Sequence, residues 1–281
     1  MNPDRLKGQY YKGAPTTLNN QLDDAFQGER GPGAKPSLVD RRDIKGIISP
    51  VYDYQYAAPC SAWAYNALAE SGFPDVFIIP VQADQTAVTE ETFQTPYDYV
   101  RVDQTFQREV KRQTGAEENN EVFLESDIVQ SQLPFLQYAF KEKREAIKIA
   151  PIAVSADQTL KSFAIDLKEV AVDLDRSYRI VVPTNLVEYG REYNFVPFTQ
   201  DKLEKLNALD EESLGRIKDN DPLGLLEHVS AHHLSMTNYL GVVLALLMIN
   251  PSTVNVEQYY TTNDIDGETN TVVSFAAITL E

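Results

Sequence analysis

The residues best suited to chemistry are few. All three histidines lie in the stretch LEHVSAHHLSM, as His228, His232 and His233. His228 and His232 are four apart, so on a helix both imidazoles share one face, a spacing that can chelate zinc. Val229 stands where a zinc protease would carry its glutamate, and no outlying third ligand is evident, so ordinary helix histidines are the plainer reading. The one cysteine, Cys60, follows Pro59 at an expected helix start, where the dipole could lower its pKa, yet inert buried packing is the plainer reading of a lone cysteine. Asp53, Asp84, Asp127 and Glu188 fall in loops after expected strands. If those loops face one crevice, the four carboxylates could do acid/base work or hold a hard cation, whereas isolated loop carboxylates cap turns or face water. Tyr52, Tyr54 and Tyr56 alternate and would share one face of an extended segment, as core or rim packing.

The elements that must position these residues alternate between two periods. Leu18, Leu22 and Phe26, four apart behind Thr16 and Thr17, predict an amphipathic helix over 16–26, with the hydroxyls as caps. Gly28 to Asp40, with three Gly and two Pro, reads as a loop whose RGPG is too isolated to cradle phosphate. Short β-branched runs at 44–49 and 76–79 enclose a helical pattern at 59–71. A helix at 128–140, a strand at 147–154, a helix at 158–174 and a strand at 178–182 repeat the alternation. A helix over 228–249 and a strand over 271–280 close it. The fold class predicted is α/β: one domain over residues 1–281, with a central mixed or parallel sheet flanked by helices. Such sheets place ligand sites beyond the carboxyl ends of their strands. Here those loops read Pro50 to Tyr54, Pro80 to Asp84 and Pro183 to Glu188, without His, Cys, Lys or Arg.

Bulk properties exclude several classes. With 25 Lys and Arg against 42 Asp and Glu, the net charge of −17 repels nucleic acid and anionic lipid, so neither is an expected partner. A single cysteine excludes a disulfide framework and suits a reducing, cytoplasmic compartment. The N-terminus has no apolar signal region, and the most apolar run, 241–249, is far shorter than the roughly 20 residues of a membrane-spanning helix. No G-x-S-x-G, Walker A, H-E-x-x-H or G-x-G-x-x-G motif is present.

At the same loops the chain resembles the MEMO family, also known as AmmeMemoRadiSam system protein B, whose fold is similar to class III extradiol dioxygenases. KGQYYKG, with Gly8, Tyr10 and Tyr11, looks like the family's opening A-G-S-W-Y-P. PVYDYQYAAPCSAWAY matches P-H-A-G-Y-x-Y-S-G-P-x-A-A-x-A-Y at Pro50, Tyr54, Tyr56, Pro59, Ala62, Ala64 and Tyr65. Thr95-Pro96 with Val100, Val102 and Asp103, the intact L-P-F-L-Q of Leu133 to Gln137, Ile149-x-Pro151-Ile152-x-Val154 and Val273 to Ala277 follow in family order.

The departures fall in the family's metal pocket. The resemblance places Val51 at a metal-binding histidine, and Ala83 and Asp84 at the paired histidines of G-P-S-H-H. Ser126 to Gln130, including Asp127 and Gln130, replaces E-H-S-x-E. Asn185 and Glu188 take the Asp and His of S-S-D-x-x-H, and Ser235 falls near the last ligand. Val and Ala have no lone pair and neutral Asn and Ser are weak ligands, so the expected metal set is none and the expected cofactor none. With Asp53 and Tyr54 these positions form the candidate, degenerate binding pocket. The function expected is that of a non-catalytic domain binding a protein or small molecule. The alternatives are an enzyme using the pocket carboxylates, unaided or around Mg²⁺ or Ca²⁺, and a structural subunit or homo-oligomer.

Overall fold

Four nearly uninterrupted apolar runs make the centre of the molecule, described over residues 1–281 by a computed structural model. In chain order the elements are α1 (Pro15–Gln27), β1 (Gly46–Ser49), α2 (Tyr54–Ala69), β2 (Val76–Gln82), β3 (Ala87–Val88), β4 (Phe93–Gln94) and β5 (Tyr99–Val102). Next come α3 (Gln104–Thr114), β6 (Glu117–Glu118), α4 (Glu121–Leu124), α5 (Asp127–Ala139), β7 (Lys148–Val154), α6 (Leu160–Asp173) and β8 (Tyr178–Pro183). The chain closes with β9 (Glu188–Tyr189), α7 (Lys202–Lys218), α8 (Pro222–His232), α9 (Tyr239–Ile249), β10 (Val254–Thr261), α10 (Asn263–Asp266) and β11 (Val272–Leu280).

The sheet is mixed, in the order β10-β11-β1-β8-β2-β7-β3-β6. Its central strands β1, β8, β2 and β7 are parallel, and β11, β10 and β3 join antiparallel. The central strands lack polar alternation because both faces are covered. Successive side chains therefore serve two cores: Phe77, Ile79 and Val81 of β2 point to one, Val76 and Ile78 to the other. The first core lies under α1, α2 and α5, the second under α3, α6, α8 and α9. The expected α/β class with a mixed, mostly parallel sheet is what the chain adopts.

Three local expectations are corrected. α2 starts at Tyr54, not at Pro59, because the Asp53 carboxylate accepts from the backbone N–H of Gln55 at 2.7 Å and caps it. Tyr54 and Tyr56 are thus helical and do not share an extended face. Cys60 sits in the second turn, fully buried, and burial raises its thiol pKa well above the ordinary value. Cys60 should resist a thiol reagent in the native protein and react only after denaturation; rapid native labelling would contradict that placement. In α1, Pro15 occupies the first turn and Ala14 the cap position, so Thr16 and Thr17 are inside the helix and do not cap it.

The apolar stretch expected as one helix over 228–249 is two helices. The chain leaves α8 through His233 and enters α9 through Asn238, both with left-handed backbone (φ 49° and 54°). Between them Met236 pairs with Val187, bringing this segment to the ends of the central strands. Ser, Thr and Asn compete for backbone hydrogen bonds and so favour this break over helix continuation.

Candidate functional site

The carboxyl ends of β1 and β8 are held together by one side chain. Asn185, 1% exposed, accepts from the Val51 N–H at 3.0 Å and donates to the Val51 carbonyl at 2.8 Å. It copies a pair of sheet hydrogen bonds past the end of the strands. Asn238, 3% exposed, does the same between β8 and β2. Its Nδ2 donates to the carbonyls of Pro80 (2.9 Å) and Pro183 (2.8 Å), and its Oδ1 accepts from Gln82 N–H (2.7 Å). Pairing of β2 with β8 stops at Ile78 and Ile180, so the carbonyls of Pro80 and Pro183 beyond it need donors, and a buried amide with two donors and an acceptor suits them.

Glu188 completes the network. Its Oε1 accepts from Asn185 Nδ2 (2.9 Å) and Thr237 Oγ1 (2.7 Å), and its Oε2 accepts weakly from Ser235 Oγ (3.4 Å). The backbone is tied as well, since Glu188 N–H donates to the Ser235 carbonyl at 2.8 Å. Burial raises the Glu188 pKa, and the three hydrogen bonds oppose that rise without cancelling it. A folded-state pKa above the unfolded one means stability is full below the ordinary carboxylate range and declines as pH rises through the raised value. Glu188→Gln, which keeps an acceptor for Thr237, should therefore flatten that decline. Chemical denaturation of both proteins at acidic and neutral pH checks this; parallel profiles would refute it.

Tyrosines rim this network. Tyr10 lies close enough to Asp127, Tyr52 and Glu188 for each to raise its pKa, with burial the larger cause. Tyr193 is affected in the same way, by burial first, then by Tyr52 and Glu188. Asp127 and Glu188 therefore face a common tyrosine.

The other positions proposed from the sequence lie elsewhere. Asp53 caps α2. Asp84 is exposed and, with Ala83, Gln82, Asp157 and Leu240, lines a separate recess of about 310 Å³. Tyr54 is buried in the first core, donating to the Ser131 carbonyl at 2.6 Å. Gln130 binds the N-terminal segment, accepting from Arg5 N–H at 3.1 Å and donating to the Pro3 carbonyl. The four carboxylates thus do not converge as one set: Asp127 and Glu188 flank Tyr10, while Asp53 caps α2 and Asp84 lies in the separate recess. Val51, Asn185, Glu188 and Ser235 do meet, joined by Thr237 and Asn238, which the sequence reading missed. Their signal was the polar run Ser235-Met236-Thr237-Asn238 between two apolar segments.

The donor set does not fit a transition ion. The amide oxygens of Asn185 and Asn238 already accept backbone N–H groups, and Val51 and Ala83 offer no lone pair. One group of three His, Cys, Asp or Glu side chains brings its ligand atoms within 4.8 Å of one another, Glu212, His228 and His232, and it lies on α7 and α8. The histidines thus do have a neighbouring acidic group, contrary to the sequence reading.

The retained motifs build the frame around these strand ends. Tyr65 and Phe135 stack with centroids 5.0 Å apart, Gln132 Nε2 donates to the Pro50 carbonyl at 2.9 Å, and Thr95 Oγ1 donates to Gln137 at 2.6 Å.

Comparison with known proteins agrees with this frame. A family model described as Memo-like protein matches residues 3–279. A MEMO1 family protein of Methanopyrus kandleri is 26% identical, with 97% of this chain and 96% of that protein aligned. One of Pyrobaculum arsenaticum is 28% identical over 97% of this chain and 96% of its own. With residues 3–279 matched by the family model, the chain belongs to the Memo-like protein family.

Proposed function

We propose that residues 1–281 act as one MEMO-family domain that carries no transition metal at its strand ends and works by binding a protein or small-molecule partner, without catalysis. One observation carries this reading: the side-chain oxygens at the strand ends are already engaged in hydrogen bonds within the chain. Asn185 and Asn238 accept from Val51 and Gln82, while Glu188 accepts from Asn185 and Thr237. An ion entering there would have to break buried hydrogen bonds and find no imidazole or thiolate in return. The formal charge of −17 favours a basic or neutral partner and the cytoplasm as the setting. No helix is long and apolar enough to cross a membrane, which agrees with a partner in solution.

Metal analysis of tag-free protein, grown with iron and copper supplied, tests the reading. Substoichiometric iron and copper are expected. One retained equivalent that is lost in Glu188→Ala and kept in His232→Ala would place an ion at the strand ends and overturn it.

A further inference from the structure

Away from the strand ends, α7 and α8 form a helical hairpin, and its contact holds an unresolved electrostatic arrangement. The His228 side chain is buried. Its Nε2–H points at the Leu209 carbonyl of α7 at 3.2 Å, which fixes the tautomer and leaves a lone pair on Nδ1. Nδ1 has no hydrogen-bond partner, and a carboxylate oxygen, Glu212 Oε2, stands 3.3 Å from it. Two acceptors facing each other at that distance repel unless a positive charge lies between them.

A proton could serve, giving an imidazolium paired with the carboxylate. Burial opposes that charge and lowers the His228 pKa, with Glu212 only partly compensating. A metal ion could also serve, and the surroundings suit it better. His232, one helical turn beyond His228, brings its ring centroid to 5.0 Å from that of His228. The ligand atoms of Glu212, His228 and His232 all lie within 4.8 Å of one another. Tetrahedral zinc, with bonds of about 2.0–2.1 Å, needs them somewhat closer. Glu212 and His232 are exposed and free to swing in, while His228 is held as the fixed member. Glu212 Oε1 faces Arg216 at 3.4 Å, which leaves Oε2 for the ion. A histidine ligand whose other ring nitrogen donates to a backbone carbonyl is the common support for such a site. His232 also ends α8, where the helix carbonyls favour a cation.

We propose that Glu212, His228 and His232 bind one Zn²⁺, with water at the fourth position, and that the ion pins α7 to α8. Two imidazoles and a carboxylate select zinc or a similar borderline ion over Mg²⁺ or Ca²⁺, which prefer oxygen alone.

Calorimetric titration of Zn²⁺ into tag-free, chelator-stripped protein tests this, with melting followed in parallel. One equivalent should bind and raise the melting temperature. His232→Ala and Glu212→Gln both alter exposed positions, and each should weaken binding at least about tenfold and abolish the thermal shift. No saturable binding by the parent chain, or the same affinity in both variants, would overturn the proposal. Glu188→Ala should leave zinc binding intact; loss of binding in that variant alone would move the ion to the strand ends, overturning this site and the reading above.

Discussion

Replacing Asn238 by alanine should lower the melting temperature by about 5–9 °C. The change removes the donors to Pro80 and Pro183 and the acceptor for Gln82 N–H, all in a site 3% exposed. Stranding buried polar groups costs about 1–3 kcal/mol each, partly recovered by relaxation, and alanine is also strained at φ 54°. A net loss of about 3–5 kcal/mol follows, which for a chain of this size gives the shift stated. Asn238→Asp separates the causes, since it keeps the shape and the acceptor and turns the donor into a second acceptor facing two carbonyls. It should be no better than alanine at neutral pH. Calorimetry of the three proteins decides the matter: a drop under about 1 kcal/mol in both variants would show that the amide does not hold β2 to β8.

Asp210 should make the protein less stable as the pH rises from about 4 to about 6. This carboxyl of α7 is 0% exposed, and burial pushes its pKa up from 3.8 to about 6. Oδ1 accepts from Val187 N–H at 3.0 Å and Oδ2 accepts from Tyr259 O–H at 2.8 Å. These bonds and the nearby Ser274 hydroxyl lower the pKa, but less than burial raises it. The folded state therefore keeps a proton that the unfolded chain has released, and the stabilisation is whole below about 4 and lost above about 6. Its size is about 3 kcal/mol, on the scale of 1.36 kcal/mol per pKa unit. Asp210→Asn preserves an acceptor for Val187 without the charge, so its stability relative to the parent should climb by that amount across the interval. Asp210→Ala leaves Val187 and Tyr259 unpartnered and should be destabilising by about 5 kcal/mol below about pH 4, falling to about 2 kcal/mol above about pH 6 as the parent loses its own contribution. Urea denaturation at several pH values reads both. A pH-independent difference between the parent and Asp210→Asn would show that the buried acid titrates normally.

Residues of the sheet were legible because the physics that places them is local. Runs such as Ile47-Ile48 and Val76 to Ile79 are apolar on both faces, which a strand between two helix layers requires. The helix of Leu18, Leu22 and Phe26 was legible for the same reason, as the three fall on one buried stripe. Less visible was β10, whose alternation is blurred by partial exposure along an edge of the sheet. α7 was missed too, since Leu206, Leu214 and Ile217 are diluted among charged residues. The start of α2 depended on a cap at Asp53 that the proline at 59 obscured.

The amino-acid order alone determined the α/β alternation, the family frame carried by residues such as Pro50, Tyr65 and Leu133 to Gln137, and the lack of imidazole or thiolate in the loops after β1, β2 and β8. Those are matters of residue type and near spacing, which a linear reading holds. Tertiary structure alone decided that Asp53 and Asp84 stand apart from Asp127 and Glu188, that Asn185 and Asn238 seal the strand ends, and that Glu212 reaches His228 from another helix. Each of those depends on backbone groups or side chains brought together from distant parts of the chain, and no spacing along a sequence encodes the direction in which a loop turns its carboxylate.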